Sequence, residues 1–127
     1  MSDHVISPAA ELLGREILSR DPATGEVCVR FTARREFYNR SGIVHGGFIA
    51  AMLDSVTGIA VSPRVPEGSW AVTARLDTHF LKRAGAGPIF GATTGAAANW
   101  FRLDSGPQAG NPFILMGGRQ LGRENFC

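Results

Sequence analysis

Asp54 is the one charged side chain between Arg40 and Arg64, set in the apolar part of "NRSGIVHGGFIAAMLDSVTG", residues 39–58. A carboxylate in apolar surroundings loses solvation, which disfavours its charged form and makes it a better base. An uncompensated buried charge is also costly. Such an acid therefore either acts as a base or is held structurally, by an arginine or by capping a backbone group. A second feature, His45-Gly46-Gly47, stands where a helix would begin. Free N–H groups and the positive end of the helix dipole meet at such a start, so an oxyanion or a carbonyl oxygen is well received there. Glycines let a ligand approach the backbone closely. The alternative is a tight turn whose glycines serve geometry and whose histidine serves packing.

Gly46 and Asp54 are eight residues apart, roughly 12 Å along a helix axis at about 1.5 Å per residue. One small reacting group does not touch both from the same helix. If they cooperate, the acid of one chain meets the helix start of another, and the spacing argues for a dimer with its active site at the interface.

The elements that must position these groups follow from periodicity. "LLGREILSRDPATGEVCVRFTARREFYN" looks like two strands joined by the turn "DPATGE", with Pro22 and Gly25 suited to tight geometry. Val27, Val29, Phe31 and Ala33 alternate with Cys28, Arg30, Thr32 and Arg34, as in a half-buried strand. Residues 46–61 read as a helix, apolar nearly all round and so buried, ended by Pro63, Pro66 and Gly68. "WAVTARLDTHFL", residues 70–81, alternates again, with Trp70, Val72, Ala74, Leu76 and Phe80 on one face. Beyond it the composition changes: residues 84–127 hold nine of the sixteen glycines and no valine. Two strands are expected there, in "GPIFGATTGAAANWF" and "NPFILMGGRQL". A single apolar helix needs cover, and an antiparallel sheet curled around it supplies that, in an α+β domain.

The whole composition agrees with one domain spanning residues 1–127. A hydrophobic content of 44% is ample for a core, and a net charge of +2 from scattered Lys and Arg residues argues against nucleic acid as partner. Cys28 and Cys127 form no disulfide framework or metal cluster pattern, and His4, His45 and His79 have no ligand spacing, so no metal or cofactor is expected. The N-terminus has no signal-peptide pattern, and the longest apolar run, Phe48 to Leu53, is too short to span a bilayer. The expectation is a soluble, cytoplasmic chain without a membrane partner.

At the residues already singled out, the sequence resembles the PaaI-type branch of the hotdog-fold acyl-CoA thioesterases. Asn39, Gly42, His45, Gly46, Gly47 and Asp54 stand at the spacing of that branch, and "VTARLDTHFLKRAGAG" is similar to its next strand and basic exit loop. The resemblance covers about residues 10–90. It implies a curved antiparallel sheet wrapped around a central helix, and hydrolysis of a small or aromatic acyl-CoA or aryl-CoA thioester. It further implies Asp54 as general base or nucleophile and the Gly46 amide as donor to the thioester carbonyl. Asn39 and His45 would position the thioester and support the turn, and Thr73 would help to hold the water. Asp54 and Thr73 would come from one protomer and the Asn-His-Gly set from its mate, in a homodimer and, as is usual in the family, a homotetramer. Gly47, Lys82 and Arg83 would contact substrate, the two cations at the phosphates of coenzyme A. A solvated strand end is the alternative for that pair, and Arg34 and Arg35 are weaker candidates of the same kind.

A thioester suits this equipment, because its carbonyl is activated and thiolate leaves readily. A non-catalytic hotdog acyl-CoA-binding protein is the competing reading, although a pure binder has no use for a buried base. A hotdog dehydratase would need a His and acid pair that is not found here. Phe48, Met52, Trp70 and Phe80 are either core or the lining of an acyl pocket. Two departures from the family stand out. Arg83 replaces a common proline, and residues 91–127 lack the family's long valine-rich strands, as a shifted reading frame or a divergent end would produce.

Overall fold

In a computed structural model of the chain, residues 6–69, 72–73, 76, 78–80, 82–85, 87–93, 101–104 and 114–115 are described. Eight elements follow in order: α1 (Pro8–Leu12), β1 (Glu16–Arg20), β2 (Val27–Ala33), α2 (Gly46–Val61), β3 (His79–Phe80), β4 (Gly87–Thr93), β5 (Phe101–Asp104) and β6 (Ile114–Leu115). The strands form one sheet in the order β1-β2-β4-β5-β6-β3, and every pairing is antiparallel. The helix packs against β2, β4 and β5. This is the hotdog arrangement, an α+β fold with one central helix.

The local causes are visible in the residues. Ser7 caps α1 by accepting the Ala10 amide at 3.1 Å, with Pro8 in the first turn. This five-residue helix was not anticipated, although Ser-Pro is a helix-start signal. The β1–β2 turn closes where expected. Asp21 N–H donates to the Glu26 carbonyl at 2.9 Å, and Gly25 adopts φ 78°, a conformation glycine takes without strain. In β2 the predicted inner face of Val27, Val29, Phe31 and Ala33 is buried, and Cys28 is buried as well. Val29, Phe31 and Ile89 of the sheet meet Met52, Leu53 and Val56 of the helix, all six wholly buried.

The helix has the predicted bounds, Gly46–Val61, but it is not buried all round. Gly47, Ala51 and Gly58 are exposed and Asp54 is half-buried. Steps of four, three and four residues put these positions on one stripe. The sheet covers the opposite face of the helix, and no other helix or strand of this chain covers the stripe among the described residues.

The stretch 70–81 also departs from expectation. Among the described residues of this stretch only His79–Phe80 is strand, and Val72, Thr73, Leu76 and Thr78 belong to no regular element; Trp70, Ala71, Ala74, Arg75, Asp77 and Leu81 lie outside the described residues. Val72 is 87% exposed and Phe80 55% exposed, while Leu76 is half-buried, so two residues that alternation assigned to the core are open. The reason is position in the sheet. β3 is the last strand in the order and pairs only with the two-residue β6. Further along, the described residues hold three strands where two were expected, with β4 inside the first expected segment, β5 beginning at its end and β6 in the second.

The start of α2 is fixed by an aromatic stack. Phe37, in a 3-10 turn over Arg35–Phe37, lies face to face with Phe48 in the first turn of α2, ring centroids 4.2 Å apart and planes 13° apart. Phe37 is 1% exposed. Phe37→Ala is expected to cost about 3–5 kcal/mol of unfolding free energy, measured by urea denaturation. A loss below about 1 kcal/mol would show that this stack does not anchor the helix start.

Candidate active site

The loop before α2 is built around Asn39. Its backbone N–H donates to the Ile43 carbonyl at 2.7 Å, and its carbonyl accepts from Gly42 N–H at 3.1 Å. Its side-chain oxygen accepts from the Ser41 amide at 2.9 Å and the Ile43 amide at 3.1 Å. Gly42 has φ 75°, the left-handed conformation that favours glycine. The amide NH₂ of Asn39 has no partner among the described residues. Asn39 thus holds the loop with one end and leaves the other available. Asn39→Ala is expected to lower stability by about 1–3 kcal/mol, and Asn39→Asp, which keeps the accepting oxygen, to stay close to wild type in thermal melts. If both variants lose turnover while only Ala melts early, the NH₂ group contributes beyond loop geometry; equal turnover in Asp and wild type limits Asn39 to the loop.

His45 is the N-cap residue of α2, is exposed, and caps nothing with its side chain. Its carbonyl accepts from the amides of Phe48 at 3.0 Å and Ile49 at 3.3 Å, and its own N–H donates to the Phe37 carbonyl at 2.8 Å. The amides of Gly46 and Gly47 have no acceptor among the described residues. No acid lies in the first turn of α2 to neutralise the helix dipole. Two available donors at a positive helix end suit an oxyanion.

Gly46 is closely roofed. A Cβ at this position would lie 3.1 Å from Cζ and 3.2 Å from Cε1 of Phe80. Phe80, which the sequence left as core or acyl-pocket lining, is 55% exposed on this chain. It lines a pocket of about 370 Å³ together with Val44, Gly46, Ile49, Lys82, Arg83 and Ala84. The Val44 amide donates to the Ala84 carbonyl at 2.9 Å and ties this loop to the approach to α2. Lys82 and Arg83 are therefore brought to the Gly46 end of the helix. Arg34 is held by Glu36 at 2.9 Å, which makes it a poorer phosphate ligand. Met52 is core, and Phe48 packs against the core and Phe37.

Asp54 lies at the other end of the pair. The Thr73 hydroxyl donates to its carboxylate Oδ1, so two residues 19 positions apart in the chain meet. Thr57 Oγ1 donates to the Asp54 backbone carbonyl at 2.7 Å. Among the described residues no cation pairs with the Asp54 carboxylate, so the arginine partner that a structural role would call for is not found. The neighbouring Ser55 hydroxyl instead takes a hydrogen bond from Arg15 at 3.0 Å. Burial, with the charge of Arg20 added, pushes the Arg15 guanidinium below its ordinary value. Asp54 was expected in a fully buried helix, and it lies half-buried on the open stripe. The sheet occupies only one side of α2, so apolar surroundings for this carboxylate need a second body over the stripe.

The candidate residues thus fall into two groups on one chain, Asp54 with Thr73 and Gly46 with Phe80, Lys82 and Arg83. The sequence left Phe80 between core and acyl-pocket lining, because alternation put it on the apolar face of its stretch. Its proximity to Gly46 depends on a contact across 34 positions, which no local pattern reports.

A sequence profile of the thioesterase superfamily matches residues 41–94, a span that includes Gly46, Asp54, Thr73 and Phe80 and begins just after Asn39. A phenylacetic acid degradation-related protein from Ralstonia eutropha JMP134 has a similar structure, 30% identical over 89% of each chain with a TM-score of 0.74. The chain belongs to the thioesterase superfamily. This makes it a thioester hydrolase by family. The E. coli PaaI protein from the phenylacetic acid degradation operon shares the fold at 21% identity, over 91% of this chain and 86% of that one, with a TM-score of 0.72. A thioesterase from Haemophilus influenzae shares it at 17% identity, over 84% and 76%, with a TM-score of 0.70. No curated protein sequence matches. Among the described residues no helix is long and apolar enough to cross a membrane, and no group of three or more His, Cys, Asp or Glu side chains is placed to hold a metal ion.

Proposed function

We propose that the chain hydrolyses an acyl-CoA or aryl-CoA thioester, of a small or aromatic acid, at sites shared by two protomers. Asp54 and Thr73 come from one chain, and the Gly46 amide, Asn39 and His45 from the other. The observation that carries this reading is the state of Asp54: it is held by a threonine hydroxyl, has no cation partner among the described residues, and sits on the uncovered face of α2. A second protomer laid antiparallel on that stripe would bring its own Gly46 within reach and remove water from the carboxylate.

In this reading Oδ1 is held by Thr73 and Oδ2 takes a proton from water. The water oxygen bonds to the thioester carbon, and the carbonyl oxygen, now negative, accepts from the Gly46 N–H. Collapse breaks the C–S bond and releases coenzyme A as thiolate, which is protonated as it leaves. Lys82 and Arg83 take the phosphates of coenzyme A as charge-assisted partners. The assembly is a dimer at least, and a tetramer on the pattern of the family.

The test is steady-state thiol release by the purified protein over a panel of acyl-CoA and aryl-CoA thioesters, with binding of coenzyme A followed in parallel. Turnover ranks the acyl groups. A folded protein that binds coenzyme A esters and releases no thiol would favour the non-catalytic binder.

A further inference from the structure

One cation outside the groups assigned so far stands beside Asp54. Arg15, between α1 and β1, reaches across to the helix, and its Nη1 donates to the Ser55 hydroxyl at 3.0 Å. Ser55 follows Asp54 directly and points about 100° further round the helix. On a side-chain radius of roughly 5–6 Å, that separates the two side chains by about 8 Å. Arg15 and Ser55 are both half-buried, at the border of the open stripe. Gly46 lies nine residues before Ser55, about two and a half turns, so the Lys82 and Arg83 cations belong to the opposite side of α2.

The Arg15 guanidinium has no carboxylate partner among the described residues. Glu16, next to it in the chain, is taken by Arg30. Ser55 occupies one of its five N–H donors. Burial and the neighbouring charge of Arg20 both disfavour the charged form, a cost that a bound anion would offset. A second body over the stripe would remove more water and enlarge it. Arg20 is itself tied to the end of α2, donating to Ser62 Oγ at 3.0 Å. One turn beyond Asp54, Gly58 opens on a cavity of about 880 Å³ lined by Asp21, Glu26 and Glu67 as well as Arg20. That excess of acids turns an anion back toward Arg15. A planar guanidinium fork beside a hydroxyl matches the geometry of a carboxylate.

We propose that Arg15 and Ser55 form a carboxylate subsite beside Asp54, and that the thioester cleaved is one of a short dicarboxylic acid, with Arg15 as the specificity-determining residue. The proposal rests on the hydrolytic reading above. The thioester carbon lies at Asp54, and the free carboxylate at the other end of the acyl chain takes the Arg15 fork and the Ser55 O–H. A separation of about 8 Å admits a linker of a few carbons and no long chain.

The experiment compares glutaryl- and adipyl-coenzyme A with their monomethyl esters, which have the same length and no charge on the acyl group. Wild type, Arg15→Met and Arg15→Lys are assayed, with thermal melts as the folding check. Wild type is expected to prefer the free acids. Methionine, which keeps the apolar stem, is expected to lower kcat/KM for them about 10- to 100-fold, mainly through KM. The esters should be unaffected, and lysine, which keeps the charge without the fork, should recover part of the loss. A wild type without preference for the free acids overturns the subsite. So does an equal loss on acids and esters, which would make Arg15 structural or the partner of an acid on the second protomer. If methionine melts early, the wild-type preference and the lysine variant decide alone. If wild type hydrolyses none of the four thioesters or any neutral acyl-CoA, the hydrolytic reading falls. Calorimetric Kd values then decide the contact: weakening by methionine for the free acids alone upholds it, and equal values for acids and esters overturn it. Turnover of neutral thioesters that ignores Arg15 leaves the hydrolytic reading standing and overturns the subsite.

Discussion

Asp54→Asn is expected to lower kcat by about 10³, within the roughly 10²–10⁴ range of a lost general base, while KM changes little. The variant keeps the shape and one oxygen that can accept from Thr73, and removes the negative charge and the capacity to take a proton. Asp54 is half-buried and its carboxylate has Thr73 as its partner among the described residues, so the thermal midpoint should move by no more than a few degrees. Thr73→Ala should cost about tenfold in kcat, because the hydroxyl orients the carboxylate without accepting the proton. An Asp54→Asn protein that retains about a tenth of wild-type turnover sinks the base assignment. In that case the acid is structural after all, and the reacting water is activated elsewhere.

The second large effect separates a shared site from a site within one chain. Gly46→Pro deletes the proposed oxyanion donor at the first helical position, where proline is tolerated. His45 before it has φ −57° and ψ 137°, the extended conformation that a residue preceding proline needs. Gly46→Ala controls for the new side-chain atoms against Phe80, since it keeps the N–H. Proline is expected to lower kcat by about 10²–10³, the measured scale for one oxyanion donor, and alanine by less. The decisive step is to unfold and refold Asp54→Ala and Gly46→Pro chains together. Random pairing makes half the dimers mixed, and each mixed dimer has one of its two sites intact, so about a quarter of wild-type activity should return. Neither variant alone should recover on the same treatment. Absence of recovery in demonstrably mixed dimers would mean that the two groups act within one chain, which the roughly 12 Å between them along α2 makes difficult.

Some of the fold was written plainly in local pattern. The bounds of α2 were legible because an apolar run opens at His-Gly-Gly and closes at Ser-Pro, and both are backbone events that a single sequence records. β2 was legible because Val27, Val29, Phe31 and Ala33 alternate against polar neighbours. The β1–β2 turn was legible from Pro22 and Gly25. The weak strands β5 and β6 were not, because "FRLD" and "IL" are too short to establish a period and form strands by pairing with each other and with β4 and β3. The resemblance contributed what pattern does not hold: that Asp54 and Thr73 should serve one site from the same protomer and that the family fold is a hotdog.

The sequence by itself singled out the candidate residues Gly46 and Asp54 and how far apart they lie, because helix rise converts eight residues into a distance without any tertiary information. Tertiary structure alone decided three things. It placed Phe80 over Gly46, a contact between an edge strand and a helix start. It put Lys82 and Arg83 with Gly46 and Thr73 with Asp54, dividing the candidates between the start and the middle of one helix. It left the Gly47-Ala51-Asp54-Gly58 stripe and Val72 uncovered, where alternation and apolar content had promised burial. The physical reason is common to all three. Hydrophobic periodicity reports that a face favours leaving water, but which body covers it is settled by long-range packing, and that body need not belong to the same chain.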